Sequence, residues 1–216
     1  MNLETNKMTF FDHVNELRNR VLVSIFFITV FSVISYFYSS KIIDFLLEPA
    51  KSDIVDFQVL KITSLFLVKL GVSFISGFLF SFPFIVFQIL KFILPAFNKL
   101  SVNKIIIFTV ISYALFLVGL IFGYKVILPL SISFFTKLSF SVDYVSLNYT
   151  LENYLSYISW ILVVSSLVFQ LPFVLIIVVK FGLISLETLI SYRRHMIVAF
   201  FILGASHSQI FPFSLK

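Results

Sequence analysis

Four long apolar runs constrain what this 216-residue chain can fold into more than any other feature. They cover residues 21–37, 62–94, 105–135 and 154–181. A helix needs about twenty such residues to cross roughly 30 Å of hydrocarbon. Because backbone polar groups find no partners in lipid, each run is predicted to be a helix that satisfies its own hydrogen bonds. The predicted fold is all-α: a polytopic transmembrane helical bundle in one membrane domain, residues 1–216.

Composition agrees with a membrane location. Hydrophobic residues make up 60% of the chain and charged residues only 12%, too few to cover the surface of a water-soluble protein of this size. The absence of cysteine excludes disulfides and thiolate metal sites. The net charge of +6 comes from lysines and arginines at the ends of the apolar runs, which favours a role in membrane orientation over nucleic-acid binding.

The ends of the chain are harder to assign. A fifth apolar run, 196–205, is only about 15 Å long as a helix. It either crosses where the bilayer is thin or ends as a re-entrant or interfacial segment. Near the N-terminus, Thr9 and Asp12 form a capping pattern. An apolar stripe at helical spacing follows at Phe10, Val14, Leu17 and Val21. Residues 9–20 are therefore predicted to form an interfacial amphipathic helix that then turns into the membrane.

The connections differ in charge. Basic residues follow the even-numbered spans and precede the first, at Lys7, Arg18, Arg20, Lys99, Lys104, Lys180, Arg193 and Arg194. The opposite connections mix lysines with six acids and contain no arginine. By the positive-inside rule, the N-terminus is predicted to face the cytoplasm or an organelle matrix.

The octet from His13 to Arg20, HVNELRNR, is the strongest functional clue. Glu16 stands four residues before Arg20, the orientation that favours an intrahelical ion pair. The arginines alone could also be topology anchors. The alternative is that Glu16 accepts a guanidinium from a partner in fork geometry, an interaction worth about 1.5–3 kcal/mol when partly desolvated. The residues leave both interpretations open.

Small and polar residues inside the spans suggest helix contacts. Gly119 and Gly123 are four apart on one helix face, which lets another helix approach, more plausibly within this chain than in a dimer. Gln88 and Gln170 need partners inside the bundle, either on another helix or in a wet groove that contacts a transported segment. Three interior prolines, Pro83, Pro129 and Pro172, are suited to bending the helices, and Tyr124 fits an interfacial belt.

Catalytic patterns are missing from the sequence. It has no GxxxxGK phosphate loop and no HExxH motif, and its three histidines are scattered. We therefore expect a protein that is not an enzyme and has no cofactor or metal. Any transport would have to draw on energy from outside the chain.

Five motifs in order resemble the TatC family, the multispanning core subunit of the twin-arginine, or Sec-independent, protein translocase. HVNELRNR resembles the family's HLxELRxR opening, and LLEPA, which contains Pro49, resembles its LxxP after the first span. FPFIVFQILKFILPAF resembles its second helix, FLVGLIFGYKVILPLSISFF with Pro129 its third, and VFQLPF its fourth. The similarity runs from about Thr9 to Gln209.

The resemblance implies a function. Such a protein recognises the paired-arginine signal peptides of folded proteins and helps to move them across a membrane with the proton gradient. Expected partners are these peptides, single-span TatA/TatB-like subunits, further copies of the chain and membrane lipid. The residues that would bind the signal peptide are His13, Glu16, Arg18, Arg20 and Ser101, of which Glu16 matches the family's N-terminal acid.

Two stretches depart from the family pattern. PAFNKLS places Ser101 where the family has a second acid, which leaves one of two arginine-receiving acids unmatched. The segment 204–209 lacks the acid of the family's TPPDxxSQ turn, and the family's sixth span is absent.

Two other functions stay open at this point. One is a secondary transporter of a small solute, suggested by Gln88 and Gln170. The other is a reduced membrane scaffold for complex assembly. The abundance of Phe, Ile, Asn and Lys is typical of AT-rich genomes, which favours the mitochondrial inner membrane over a bacterial cytoplasmic membrane.

Overall fold

The structure, a computed structural model, describes residues 10–50, 57–93, 102–140, 149–180 and 182. Its helices are α1 (Phe10–Phe37), α2 (Ser39–Leu47), α3 (Ser64–Ile93), α4 (Val102–Phe122), α5 (Leu128–Phe140), α6 (Leu151–Val168) and α7 (Leu171–Lys180). Two strands of two residues, β1 (Phe57–Gln58) and β2 (Tyr149–Thr150), pair in parallel. The predicted all-α class is confirmed, with this short strand pair as an addition.

Four helical stretches in the described residues are long and apolar enough to cross a membrane. They are His13–Phe37, Ser64–Ile93, Val102–Thr136 and Leu151–Lys180. The chain is therefore a multi-pass membrane protein. The predicted fifth run, 196–205, the turn at 204–209 and the capping residue Thr9 lie outside the described residues. By contacts the chain forms two compact units, Met1–Leu171 and Pro172–Lys216, and the bundle below belongs to the first.

α1 is one continuous helix from Phe10 to Phe37, and it includes residues 10–20 of the segment predicted to lie at the membrane surface. No proline or glycine stands between Phe10 and Phe37, so nothing in the sequence interrupts the hydrogen-bond ladder. The interfacial position of residues 9–20 remains a prediction.

The backbone conformation around each of the three prolines is different. Pro83 lies inside the uninterrupted α3. A π-helical turn, Gly123–Ile127, precedes Pro129 and widens the helix where the ring would press on the carbonyl of Lys125. Pro172 stands at the second position of α7, just after the turn that separates α7 from α6, a place where the missing N–H costs little.

α1 runs antiparallel to α3 in close contact along most of its length. Phe27 stacks on Phe84 with ring centroids 4.4 Å apart. Gly77 of α3 lies so near α1 that a Cβ there would be 2.5 Å from the backbone nitrogen of Ser32. In a membrane, where helix association depends on packing and on hydrogen bonds, such close approach is a main source of stability.

The hydrophobic core lies at the end of the bundle that carries α2. Its buried residues come from α2, α3, α5 and α6: Leu46, Val68, Val72, Leu128, Ile132, Tyr154, Leu155, Ile158 and Leu162. Tyr124 closes this end, because its hydroxyl donates to the carbonyl of Phe45 at 2.8 Å and its ring stacks on the Phe45 ring. Pro49 lies directly after α2, in a short 3-10 helix, Glu48–Ala50. The N-terminus of α1 lies at the opposite end of the bundle.

Candidate functional site

The candidate site is the group of polar side chains where the start of α1 meets the end of α3. One guanidinium joins the two helices. Arg20 donates through Nη2 to Glu16 Oε1 at 2.9 Å and through Nη1 to Gln88 Oε1 at 3.1 Å. The ion pair that the sequence allowed is therefore present, and it is tied to a second helix. Gln88 thus belongs to the site, through a bond to another helix, which was one of the two possibilities raised for it.

The Glu16 carboxylate is paired but remains reachable. The side chains of Arg20 and Glu16 keep 22% and 21% of their surface exposed. Arg20 occupies Oε1, and Oε2 makes no hydrogen bond within the described part of the chain. A desolvated carboxylate with a free oxygen is a strong acceptor for a guanidinium or ammonium group.

His13 and Arg18 flank this carboxylate in different ways. The His13 ring stacks on Phe92 of α3, with centroids 4.4 Å apart and 18° between the planes. Arg18 is exposed and makes no ion pair with any described residue. Ser101, the fifth residue predicted for the site, lies outside the described residues.

Phe92 is a residue of this site that sequence reasoning missed. It stands four residues after Gln88, so both side chains lie on one face of α3. Their partners, His13 and Arg20, are seven apart on one face of α1. Each spacing keeps its two side chains on one helix face, a signal that could be used only once α1 and α3 were known to be antiparallel neighbours.

Gln170 is a structural residue. It is buried, its Oε1 accepts from Ser112 Oγ at 2.6 Å, and its Nε2 donates to the Ser112 carbonyl at 3.0 Å. Of the two possibilities raised for this amide, the structure shows the bond between helices, here from α4 to the turn before α7. Both polar atoms of the amide bond to Ser112, which accounts for the place of this side chain inside an apolar run.

Replacement of Gln170 by leucine is expected to lower the free energy of unfolding by about 1–2 kcal/mol, because two buried partners on Ser112 are left unpaired. SDS titration of the detergent-solubilised protein would measure the loss. The double variant Gln170→Leu with Ser112→Ala should lose less than the two single changes together. Gln58→Leu, at an exposed amide of β1, serves as the control. Strictly additive losses would argue against this hydrogen-bond pair.

The two glycines of the third span pack within the chain. A Cβ at Gly119 would lie 2.8 Å from Ser166 Cα, and one at Gly123 would lie 3.1 Å from Ser165 Cβ and still closer to Ser165 Oγ. Gly119 therefore serves the contact of α4 with α6, and Gly123 that of the following π-helical turn with α6. Among the described residues no group of histidines and acids is placed to hold a metal.

Comparison with known proteins places the chain in a family. Residues 12–213 match the family model described as Sec-independent protein translocase protein (TatC). The chain is 29% identical over 204 residues to the TatC of Carboxydothermus hydrogenoformans, a match that covers 94% of this chain and 83% of the relative. It is 32% identical over 199 residues to the tatC-like protein ycf43 of Guillardia theta, covering 92% and 67%.

A solved structure agrees with the sequence relatives. The crystal structure of a twin-arginine translocase receptor, TatC in the detergent DDM, matches with a TM-score of 0.82 and 29% identity. The match covers 89% of this chain and 87% of that one. The family model, the sequence relatives and the shared fold lead to one conclusion: the chain belongs to the TatC family of Sec-independent protein translocase proteins.

Proposed function

We propose that this chain is the receptor and core subunit of a twin-arginine translocase, and that Glu16 receives an arginine of the visiting signal peptide. The observation that carries the proposal is the Glu16 carboxylate, four-fifths buried, held through Oε1 by Arg20 and free at Oε2 within the described residues. A folded cargo cannot be threaded, so only its signal segment is read.

Arg20 prepares the carboxylate for this role. Its guanidinium is anchored on α3 by Gln88, so the carboxylate that it holds is fixed relative to two helices. A fixed acceptor loses less conformational entropy on binding than a mobile surface acid does. A planar guanidinium matches a carboxylate in fork geometry better than an ammonium does, which would allow arginine to be preferred over lysine.

Photo-crosslinking tests the proposal. A photoreactive residue at the exposed Leu17, next to Glu16, would capture a twin-arginine precursor in membranes that contain the full chain. Glu16→Gln should reduce the capture about tenfold, since one charge-assisted hydrogen bond is lost. The same variant should no longer distinguish the precursor from one with paired lysines. Asp44→Asn, an exposed acid of α2, is the control. Unchanged capture, or an unchanged preference for arginine, would contradict the assignment.

Gln88 is expected to act as a positioning residue. Gln88→Leu removes the anchor of Arg20, and capture of the arginine precursor should fall about threefold to fivefold. Gln88→Glu keeps an acceptor oxygen for Arg20 and should retain capture. The readout is again the preference for paired arginines over paired lysines. A general packing defect would reduce capture of both precursors equally, and that result would remove Gln88 from the mechanism.

Partner subunits and cellular position complete the proposal. We expect single-span TatA/TatB-like subunits to assemble with this chain, and the N-terminus to face the cytoplasm or matrix. The composition favours a mitochondrial inner membrane over a bacterial cytoplasmic membrane. The distribution of lysine and arginine supports this orientation. Because the chain has no cysteine, single cysteines introduced at Asn19 and Ser40 would report their side by labelling with an impermeant reagent. If only Ser40→Cys were labelled from the cytoplasmic or matrix side, the predicted orientation would be wrong.

The transporter alternative gains no support. It depended on two glutamines inside the membrane, Gln88 and Gln170, as contacts for a solute. Ser112 satisfies both polar atoms of Gln170, and Gln88 accepts from Arg20 at the end of the bundle.

A further inference from the structure

A cavity between α3 and α6, at the end of the bundle that carries α2, takes no part in the proposed receptor role. It has a volume of about 100 Å³. Leu67, Gly71 and Ile75 contribute to its α3 wall, and Glu152, Ser156 and Ser159 to its α6 wall. One wall is thus apolar, and the other carries an acid and two hydroxyls. A gap filled only by lipid tails would not require these polar groups.

Glu152 gives the cavity a negative mouth. The acid stands in the first turn of α6, and its carboxylate accepts one neutral hydrogen bond, from Ser64 Oγ at 2.8 Å. It forms no ion pair with a cation of the described residues. Ser64 is itself the first residue of α3, so this mouth lies where two apolar spans begin. That is the depth of lipid headgroups and of their charges.

The two serines extend the polar wall into the membrane. Ser156 and Ser159 lie about 6 Å and 10 Å further along α6 than Glu152, at a rise of 1.5 Å per residue. Ser156 is an exposed residue and Ser159 a buried one, and no hydrogen bond joins either hydroxyl to another described residue. Both hydroxyls are therefore available to donate to an occupant that has acceptor oxygens at this depth.

We propose that this cavity binds a phospholipid with a primary ammonium headgroup, of the phosphatidylethanolamine type. The ammonium donates to the Glu152 carboxylate, the hydroxyls of Ser156 and Ser159 donate to the ester carbonyl oxygens, and the start of an acyl chain lies against Leu67 and Ile75. Gly71 leaves room for the chain, since no atom lies within 4 Å of a Cβ built there. One molecule thus satisfies the charge at the mouth and the hydroxyls below it.

The size of the cavity decides against a partner helix as the occupant. A helix with its side chains is about 10 Å across, which is wider than a cavity of about 100 Å³ can admit. A lipid can place its headgroup amine at the mouth and part of its glycerol region inside, while the rest of the molecule stays in the bilayer. A choline headgroup has no N–H to donate, so the carboxylate should distinguish ethanolamine from choline.

Native mass spectrometry of the purified full chain tests the site. The protein is offered phosphatidylethanolamine, phosphatidylcholine and phosphatidylglycerol with identical acyl chains. We expect ethanolamine lipid to bind about tenfold more tightly than choline lipid, and Glu152→Gln to abolish that preference. Glu48→Gln, an exposed acid at the same end of the bundle, should preserve it. Equal binding of all three lipids, or a preference that survives Glu152→Gln, would overturn the proposal.

A second variant separates lipid binding from folding. Gly71→Phe fills the cavity from the α3 wall without altering the acid, and it should lower ethanolamine-lipid binding as much as Glu152→Gln does. Circular dichroism and gel filtration report whether each variant is folded. A photoreactive residue at Leu67 in native membranes should gain the mass of a lipid. Attachment to a polypeptide instead would assign the cavity to a protein partner and overturn the lipid site.

Discussion

Gly119→Leu is expected to prevent this protein from accumulating in a folded state. The Cβ alone would lie 2.8 Å from Ser166 Cα, a backbone atom that no side-chain rotation can move. α4 and α6 would have to separate, and the hydrogen bonds between Ser112 and Gln170 lie across the same contact. Overpacking that displaces a helix costs about 3 kcal/mol or more. Yield of monodisperse protein and SDS titration would measure the loss.

The other glycines of the bundle provide matched controls. Gly71→Ala meets open space and should raise stability by up to about 1 kcal/mol, the helix-propensity gain of alanine over glycine. At Gly123 the obstacle is a side chain, so Ser165→Ala should relieve part of the cost of Gly123→Ala. Ser166→Ala should not relieve Gly119→Ala, because the obstacle there is the Cα. A stable Gly119→Leu protein would show that α4 and α6 are further apart.

The spans could be predicted from sequence because lipid imposes a simple rule. A helix in hydrocarbon must be long and apolar, and this requirement is visible in a single chain. The described helices at 64–93 and 151–180 agree with the predicted runs within a few residues. The contact of Gly119 and Gly123 with a helix of the same chain was also the favoured interpretation.

The response of each helix to its proline could not be predicted. A helix can accommodate the missing N–H of proline with a π turn, at a helix end, or with the helix otherwise intact. The structure shows a π turn before Pro129, a helix start at Pro172 and an intact helix around Pro83. The choice depends on neighbouring helices, and a single span carries no information about them.

The candidate site was only half visible in the sequence. The spacing of Glu16 and Arg20 is local, so their ion pair could be weighed in advance. The bond from Arg20 to Gln88 joins residues 68 positions apart and depends on the register of α1 against α3. Register between membrane helices is set by packing details such as the contact of Gly77 with Ser32, which hydrophobic periodicity does not encode.

Charge reversal at Glu16 is expected to have the largest effect on signal-peptide capture. In Glu16→Arg the net charge of residues 16, 18 and 20 rises from +1 to +3, because one acid becomes a third arginine. Two unit charges 4 Å apart interact with about 4 kcal/mol near a protein surface and about 1 kcal/mol in water. Replacing attraction by repulsion should therefore lower capture of a twin-arginine precursor about a hundredfold or more, beyond the loss in Glu16→Gln.

Reversing the charge of the signal peptide should restore part of the capture that is lost when the charge at residue 16 is reversed. A precursor with glutamates in place of its paired arginines should crosslink at Leu17 in the Glu16→Arg protein and not in the unaltered protein. Gln88, the partner of Arg20 on α3, is unchanged in both proteins, so we expect the orientation of α1 on α3 to be retained. Both effects should weaken as salt is added, since Arg18 and residue 16 are reached from solvent. If Glu16→Arg captured the arginine precursor as well as Glu16→Gln does, the charge at this position would have no part in reading the signal peptide, and the receptor role would have to reside elsewhere in the chain.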